Sequence, residues 1–132
     1  MERHILLIDD DIDEMDFFLF AQKEMPGRFT CSYLADVTEG LKMILDMQPD
    51  LVFLDINMPR MKGPDFLMHL KKTGLCENIK VVLYSTNITT SDSRMALSFG
   101  AFDCIQKPVL FTSFCSMLAE LFEKLDHSGK KQ

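Results

Sequence analysis

Five short apolar runs alternate with amphipathic stretches along the whole chain. Ile5-Leu6-Leu7-Ile8 and Leu51-Val52-Phe53-Leu54 are apolar at every position, the pattern of strands covered on both faces. Ile79 to Tyr84 reads as a fourth strand, and Ala101 to Gln106 as a fifth, less apolar one. Phe29-Thr30-Cys31-Ser32-Tyr33 instead alternates apolar with polar, so it is expected at an edge with one face less covered. The stretches between carry helical signals. Asp13 to Met25 predicts a helix stopped by Pro26-Gly27. Asp36 with Glu39 predicts a capping box for a helix that runs to about Met47 and ends at Pro49. Gly63 opens a third helix, with Phe66, Leu67 and Leu70 on one side and an end near Gly74. Thr89 or Thr90 caps a fourth, which ends at Gly100, a residue suited to the left-handed position beyond a helix. The last helix places Phe114, Leu118, Leu121, Phe122 and Leu125 at helical spacing. Its start is ill-defined, because Leu110 or Phe111 stands at the cap site and Thr112 is the substitute cap.

Five βα units with short links predict an α/β fold: a parallel sheet with right-handed crossovers and helices on both faces. The chain of 132 residues is expected to be one domain over residues 1–126, with a frayed polar tail at 127–132. No repeat, linker or second domain is visible. The apolar content of 47% fits a packed core, and the 11 Phe and 10 Met are read first as its filling.

Charge sharpens this picture through its placement. The net charge is −6, and Asp9, Asp10, Asp11, Asp13, Glu14 and Asp16 fall within eight residues. The remaining acids balance the 14 Lys and Arg, so this cluster formally carries the whole excess. Asp13, Glu14 and Asp16 fit a solvated first helical turn, where acids suit the dipole. Asp9 and Asp10 end a strand that reads as buried, and so need a cation or a basic side chain. No basic patch is evident, which argues against direct nucleic-acid binding. Cys31, Cys76, Cys104 and Cys115 lack CxxC spacing and are expected to be buried free thiols. There is no signal peptide and no membrane-length apolar stretch, so a reducing cytoplasm is the expected location.

Four polar pieces follow or end the apolar runs: Asp9-Asp10-Asp11, Asp55, Ser85-Thr86 and Lys107-Pro108. In an open parallel sheet these lie along one edge, where ligands bind. Taken singly, each has an ordinary turn or surface reading. Jointly they surround one aspartate with carboxylates, a hydroxyl and an amine. The Asp55 carboxylate can attack phosphorus to give an acyl phosphate. A divalent cation between Asp10 and Asp55 would reverse the repelling field, and Mg²⁺ suits such hard oxygen ligands. Lys107 would supply fixed positive charge.

At this point the chain resembles the receiver domain of bacterial two-component response regulators, from about His4 to Leu125, in the manner of a stand-alone chemotaxis receiver. LLIDDD matches the family's first strand and acidic pair at Asp9 and Asp10. DLVFLDINMPRMKG matches the phosphorylation segment, with Asp55 as phosphoacceptor, Met58-Pro59 and Gly63. Ser85 stands at the family's Ser/Thr position, and Lys107-Pro108 at its Lys-Pro pair, whose peptide bond is typically cis.

The resemblance implies a flavodoxin-like sheet in the order 2-1-3-4-5. It implies that a sensor histidine kinase or a histidine phosphotransfer protein donates a phosphoryl group to Asp55. Mg²⁺ is then held by Asp10, Asp55 and the backbone carbonyl of Asn57, with Asp9 acting through water, and Ser85 and Lys107 hold the phosphoryl oxygens. Asn57 and Thr86 occupy positions that tune phosphate loss. The family's switch aromatic, three residues before the lysine, is replaced by Cys104. Switching is therefore expected to use the Ser85 loop and neighbouring aromatics such as Phe102.

The implied role is a signalling domain rather than an enzyme, one that assists phosphorylation and dephosphorylation of its own aspartate. Its output would be binding of a downstream protein, as a monomer or weak homodimer. The lack of an output domain after Leu125 is read as support for a stand-alone receiver. A phosphorelay intermediate is the main alternative. A flavodoxin-like nucleotide binder is disfavoured, because three acids stand where a phosphate loop would be. A phosphatase with a nucleophilic Asp lacks any readable cap or substrate pocket, and the intact residue set argues against a degenerate receiver.

Overall fold

The structure, a computed structural model, describes residues 2–74 and 78–130. Strand β1 (Arg3–Ile8) leads through a 3-10 turn at Ile12–Glu14 into helix α1 (Met15–Glu24). Strand β2 (Phe29–Leu34) leads through a second 3-10 turn, Val37–Glu39, into α2 (Gly40–Met47). Then follow β3 (Leu51–Leu54), α3 (Gly63–Thr73), β4 (Lys80–Ser85), α4 (Thr90–Ser98), β5 (Asp103–Gln106) and α5 (Phe111–Lys130). Every strand pairing is parallel, and the sheet order is β2-β1-β3-β4-β5. The fold is the expected flavodoxin-like doubly wound sheet.

Alternation along each strand feeds two cores. Leu6, Ile8, Val52, Leu54, Val81 and Leu83 meet Ile44 of α2, Phe66, Leu67 and Leu70 of α3, and Ala96 of α4. Ile5, Leu7, Leu51, Phe53, Val82 and Tyr84 meet α1 and α5 through Phe18, Phe114, Leu118 and Phe122. The ring of Phe18 lies edge-on to Phe53 at 5.0 Å and to Phe114 at 4.8 Å. Much of the Phe content therefore fills one face of the sheet by edge-to-face packing. Strands β1 and β3 lie inside the sheet with helices on both faces, which is why they read as unbroken apolar runs. Strand β2 is an edge strand with only Phe29 fully buried, as its alternation predicted.

Several local expectations need correction. Asp36 caps its turn by accepting from the Thr38 N–H, but Glu39 returns no side-chain bond, because the 3-10 turn takes it out of register for a capping box. The expected start of α1 at Asp13 is likewise replaced by a 3-10 turn, with the Asp11 carboxylate accepting from the Asp13 N–H at 3.0 Å. Helix α4 does carry a complete capping box, Thr89 with Asp92, and Gly100 follows it at φ +86°. Thr112 does not cap α5. The Leu110 carbonyl accepts the Phe114 N–H at 3.0 Å, so Thr112 lies within the first turn. Helix α5 continues through Lys130, so the expected tail begins as helix, and residues 131–132 lie outside the described residues. Cys31, Cys104 and Cys115 are free but half-buried rather than buried, because each packs against a core cluster without being enclosed by it; Cys76 lies outside the described residues. No described helix is long and apolar enough to cross a membrane.

Candidate functional site

The register of the sheet brings the polar strand ends together. Ile8 pairs with Leu54, and Leu54 with Leu83, so Asp9 and Asp55 emerge side by side as the next residues of their strands. Ser85 ends β4 and accepts the Lys107 N–H on its backbone carbonyl at 2.8 Å, which fixes the lysine just beyond β5. Asp9, Asp10, Asp55, Asn57, Ser85, Thr86 and Lys107 all line one open depression of about 300 Å³, with Asp11, Glu14 and Asn87. Of the predicted site residues only Cys104 lies elsewhere.

Asp9 is the anchor of the site. It is 1% exposed, and every polar group it carries has a partner. One carboxylate oxygen accepts the Asp11 N–H at 3.0 Å, and the other accepts the Lys107 ammonium at 2.8 Å. Its N–H donates to the Leu34 carbonyl at 3.1 Å, and its carbonyl accepts the Tyr33 hydroxyl at 2.6 Å. Lys107 also approaches Glu14 at 3.5 Å and lies 5.8 Å from the centre of the Tyr84 ring. Asp55 is 7% exposed and enters no ion pair among the described residues.

The electrostatics follow from this arrangement. Burial first, and then the charge of Asp9, push the Asp55 carboxyl up to about 6, against the opposing pull of Lys107 and the Asn57 N–H. Burial works to lower the Lys107 pKa, but the hydrogen bond and charge of Asp9, with Asp55 and Glu14 behind it, raise the pKa above the usual lysine value. Glu14 is raised by burial, with Lys107 opposing. Carboxylate oxygens of Asp9, Asp10 and Asp55 lie within 4.8 Å of one another. Three hard-oxygen carboxylates facing one ammonium fit a divalent cation such as Mg²⁺.

Lys107 is thus the counter-charge of a buried carboxylate. Lys107→Met keeps the apolar stem but strands Asp9. The substitution is expected to cost about 3 kcal/mol of unfolding free energy at neutral pH without metal. Urea unfolding in a chelator measures this, and a loss below about 0.5 kcal/mol would show that Asp9 does not depend on the amine.

Cys104 packs with Ala96 and the α4 side of the sheet, and Phe102 packs with the α1 and α5 side. The two are therefore on opposite faces, and Phe102 does not stand beside Cys104. The Lys107–Pro108 peptide is trans, since no cis bond occurs among the described residues. Proline leaves both isomers accessible, so the dipeptide alone does not choose between them.

Sequence reasoning missed three contributors. Glu14 was assigned to a solvated helical turn, but the 3-10 turn aims it at Lys107. Its spacing of four from Asp10 was the available signal. Lys62 donates to the Asn57 side chain at 3.2 Å. Tyr33 reaches the Asp9 carbonyl only because Leu7 pairs with Tyr33 in the β1–β2 ladder, which no local pattern reveals.

A model of the response regulator receiver domain family matches residues 5–119. A protein-glutamate methylesterase/protein-glutamine glutaminase 1 of Myxococcus xanthus is 35% identical over 123 residues, which are 92% of this chain and 35% of that protein. The DNA-binding response regulator MtrA of Mycolicibacterium paratuberculosis is 29% identical over 82% of this chain and 46% of its own length. The chain spans about a third of the first three curated relatives it matches. A solved receiver domain protein from Methanospirillum hungatei superposes with a TM-score of 0.79 at 26% identity, over 100% of both chains.

Proposed function

The chain belongs to the response regulator receiver domain family, and from that premise we propose that it accepts a phosphoryl group on Asp55 and signals by phosphorylation-dependent binding to another protein. The observation that carries this reading is that Asp55 enters no ion pair among the described residues. Asp55 is a nearly buried carboxylate in an acidic depression whose one amine is held by Asp9. An Asp55 oxygen attacks the phosphorus of a phosphohistidine on a kinase or phosphotransfer protein. The P–O bond forms as the P–N bond breaks, and the imidazole leaves with its electron pair and takes up a proton. Asp10, Asp55 and the Asn57 carbonyl would hold Mg²⁺, with Asp9 behind them. The ion, when bound, offsets the carboxylate charge that would repel the donor. Lys107 lies where its ammonium can leave Asp9 for a phosphoryl oxygen, and the Ser85 hydroxyl can donate to another. Such exchange of partners is a local charge change able to bias the β4–α4 segment between two states. Half-buried free thiols at Cys31, Cys104 and Cys115 suit a reducing cytoplasm as the working location.

The test is to incubate the protein with Mg²⁺ and a small-molecule phosphodonor and weigh it intact. One added phosphoryl mass is expected on the unaltered chain and none on Asp55→Ala. No addition, or equal addition to both, removes the proposal. A pull-down with and without beryllofluoride then tests whether partner binding depends on the phosphorylated state.

A further inference from the structure

Two carboxylates of the acidic loop after β1, Asp9 and Asp10, stand beside Asp55 at the depression, and they are held in different ways. The Asp9 side chain is locked by the Asp11 N–H and Lys107. The Asp10 carboxylate is exposed and has no hydrogen bond or ion pair among the described residues, yet lies within reach of Asp9 and Asp55. Its direction must therefore come from the backbone that carries it. The peptide joining Asp9 to Asp10 is planar, so one bond to its carbonyl restrains the whole unit. That bond is the one from Tyr33, at 2.6 Å.

We propose that Tyr33 is a positioning residue for the cation site: its hydroxyl holds the Asp9–Asp10 peptide so that the Asp10 carboxylate stays beside Asp9 and Asp55. This rests on reading the depression as a cation site. Tyr33 is suited to the task. Its ring packs on the α1 and α5 core, and its strand pairs with β1 residue for residue up to Ile8 with Leu34. The Leu34 carbonyl takes the Asp9 N–H, so strand β2 grips both sides of Asp9. Without the hydroxyl the peptide can tilt toward water, and Asp10 must be ordered again each time a cation binds.

The experiment is a Mn²⁺ titration of the full chain, with free ion followed by electron paramagnetic resonance. It compares the unaltered protein, Tyr33→Phe and Ser32→Ala. Phe keeps the ring and loses only the donor. Ser32→Ala removes a bond from the neighbouring position of the same strand, Ser32 to the His4 ring at 3.0 Å, and so controls for general loosening of β2. Tyr33→Phe is expected to raise the Mn²⁺ dissociation constant about threefold to tenfold, the loss of one ordinary hydrogen bond, with Ser32→Ala unchanged. Equal affinity for Tyr33→Phe and the unaltered chain overturns the proposal, and so does an equal loss in Ser32→Ala. If the unaltered chain binds no Mn²⁺, the cation site itself falls and this role with it.

Discussion

Asp55→Asn is expected to make the metal-free protein more stable at neutral pH while removing its capacity to take a phosphoryl group. The Asp55 carboxyl is raised from 3.8 to about 6 by burial and by Asp9, so its ionised form is disfavoured in the folded chain. A folded-state value above the unfolded one means that the folded protein binds the extra proton. The penalty is absent below about pH 4, grows as pH rises through the interval to about 6, and is complete above it. At about 1.4 kcal/mol per unit the ceiling is about 3 kcal/mol, and the open depression screens this to about 1–2 kcal/mol. Asn keeps the shape and the hydrogen-bonding capacity without the charge. Urea unfolding in a chelator should show the variant ahead at pH 7.5 and level with the parent near pH 4. Adding Mg²⁺ should then reverse the order, because an ion bound to the folded state stabilises by mass action and the variant has lost one ligand. A variant less stable than the parent at pH 7.5 in a chelator would show that Asp55 is not held at a cost.

Gly63→Ala is expected to cost about 3 kcal/mol, and to damage the site as well as the fold. A Cβ at Gly63 would collide with the Asp55 carbonyl oxygen and lie 3.0 Å from the Ile56 Cα, both backbone atoms. The Gly63 N–H also donates to the Ile56 carbonyl at 2.8 Å, so the start of α3 is drawn against the segment leaving β3. Relief must move backbone, and one side of the clash is the segment that carries Asp55 and Asn57. Chemical denaturation together with Mn²⁺ affinity measures both effects. Normal stability, or lost stability with unchanged affinity, would show that the clash relaxes away from Asp55. By contrast, a Cβ at Gly40 meets the Phe66 ring at 2.7 Å, a conflict with a side chain rather than with backbone.

How far local pattern reaches differs from element to element. Strand β3 was legible to the residue, because burial on both faces makes its apolar run continuous. The starts of β4 and β5 were less so, since a ladder begins where its partner begins. The start of α1 was misplaced because the Asp11 side chain competes for the Asp13 N–H and tightens the chain into a 3-10 turn. Asp9, Asp10, Asp55, Ser85 and Lys107 could be named from sequence because parallel strands with short links put all their C-terminal ends on one edge.

The partners of those residues were not legible. The chain by itself determined the alternation of strands and helices, the composition of the two cores and which polar groups share an edge. Each of these follows from patterns a few residues long. Only the tertiary structure decided that Lys107 holds Asp9, 98 positions away, rather than Asp55, that Glu14 joins them, and that Tyr33 grips the Asp9 carbonyl. Such pairings depend on the register between strands, where a slip of one residue turns each side chain to the opposite face, and register is fixed by packing of the assembled cores.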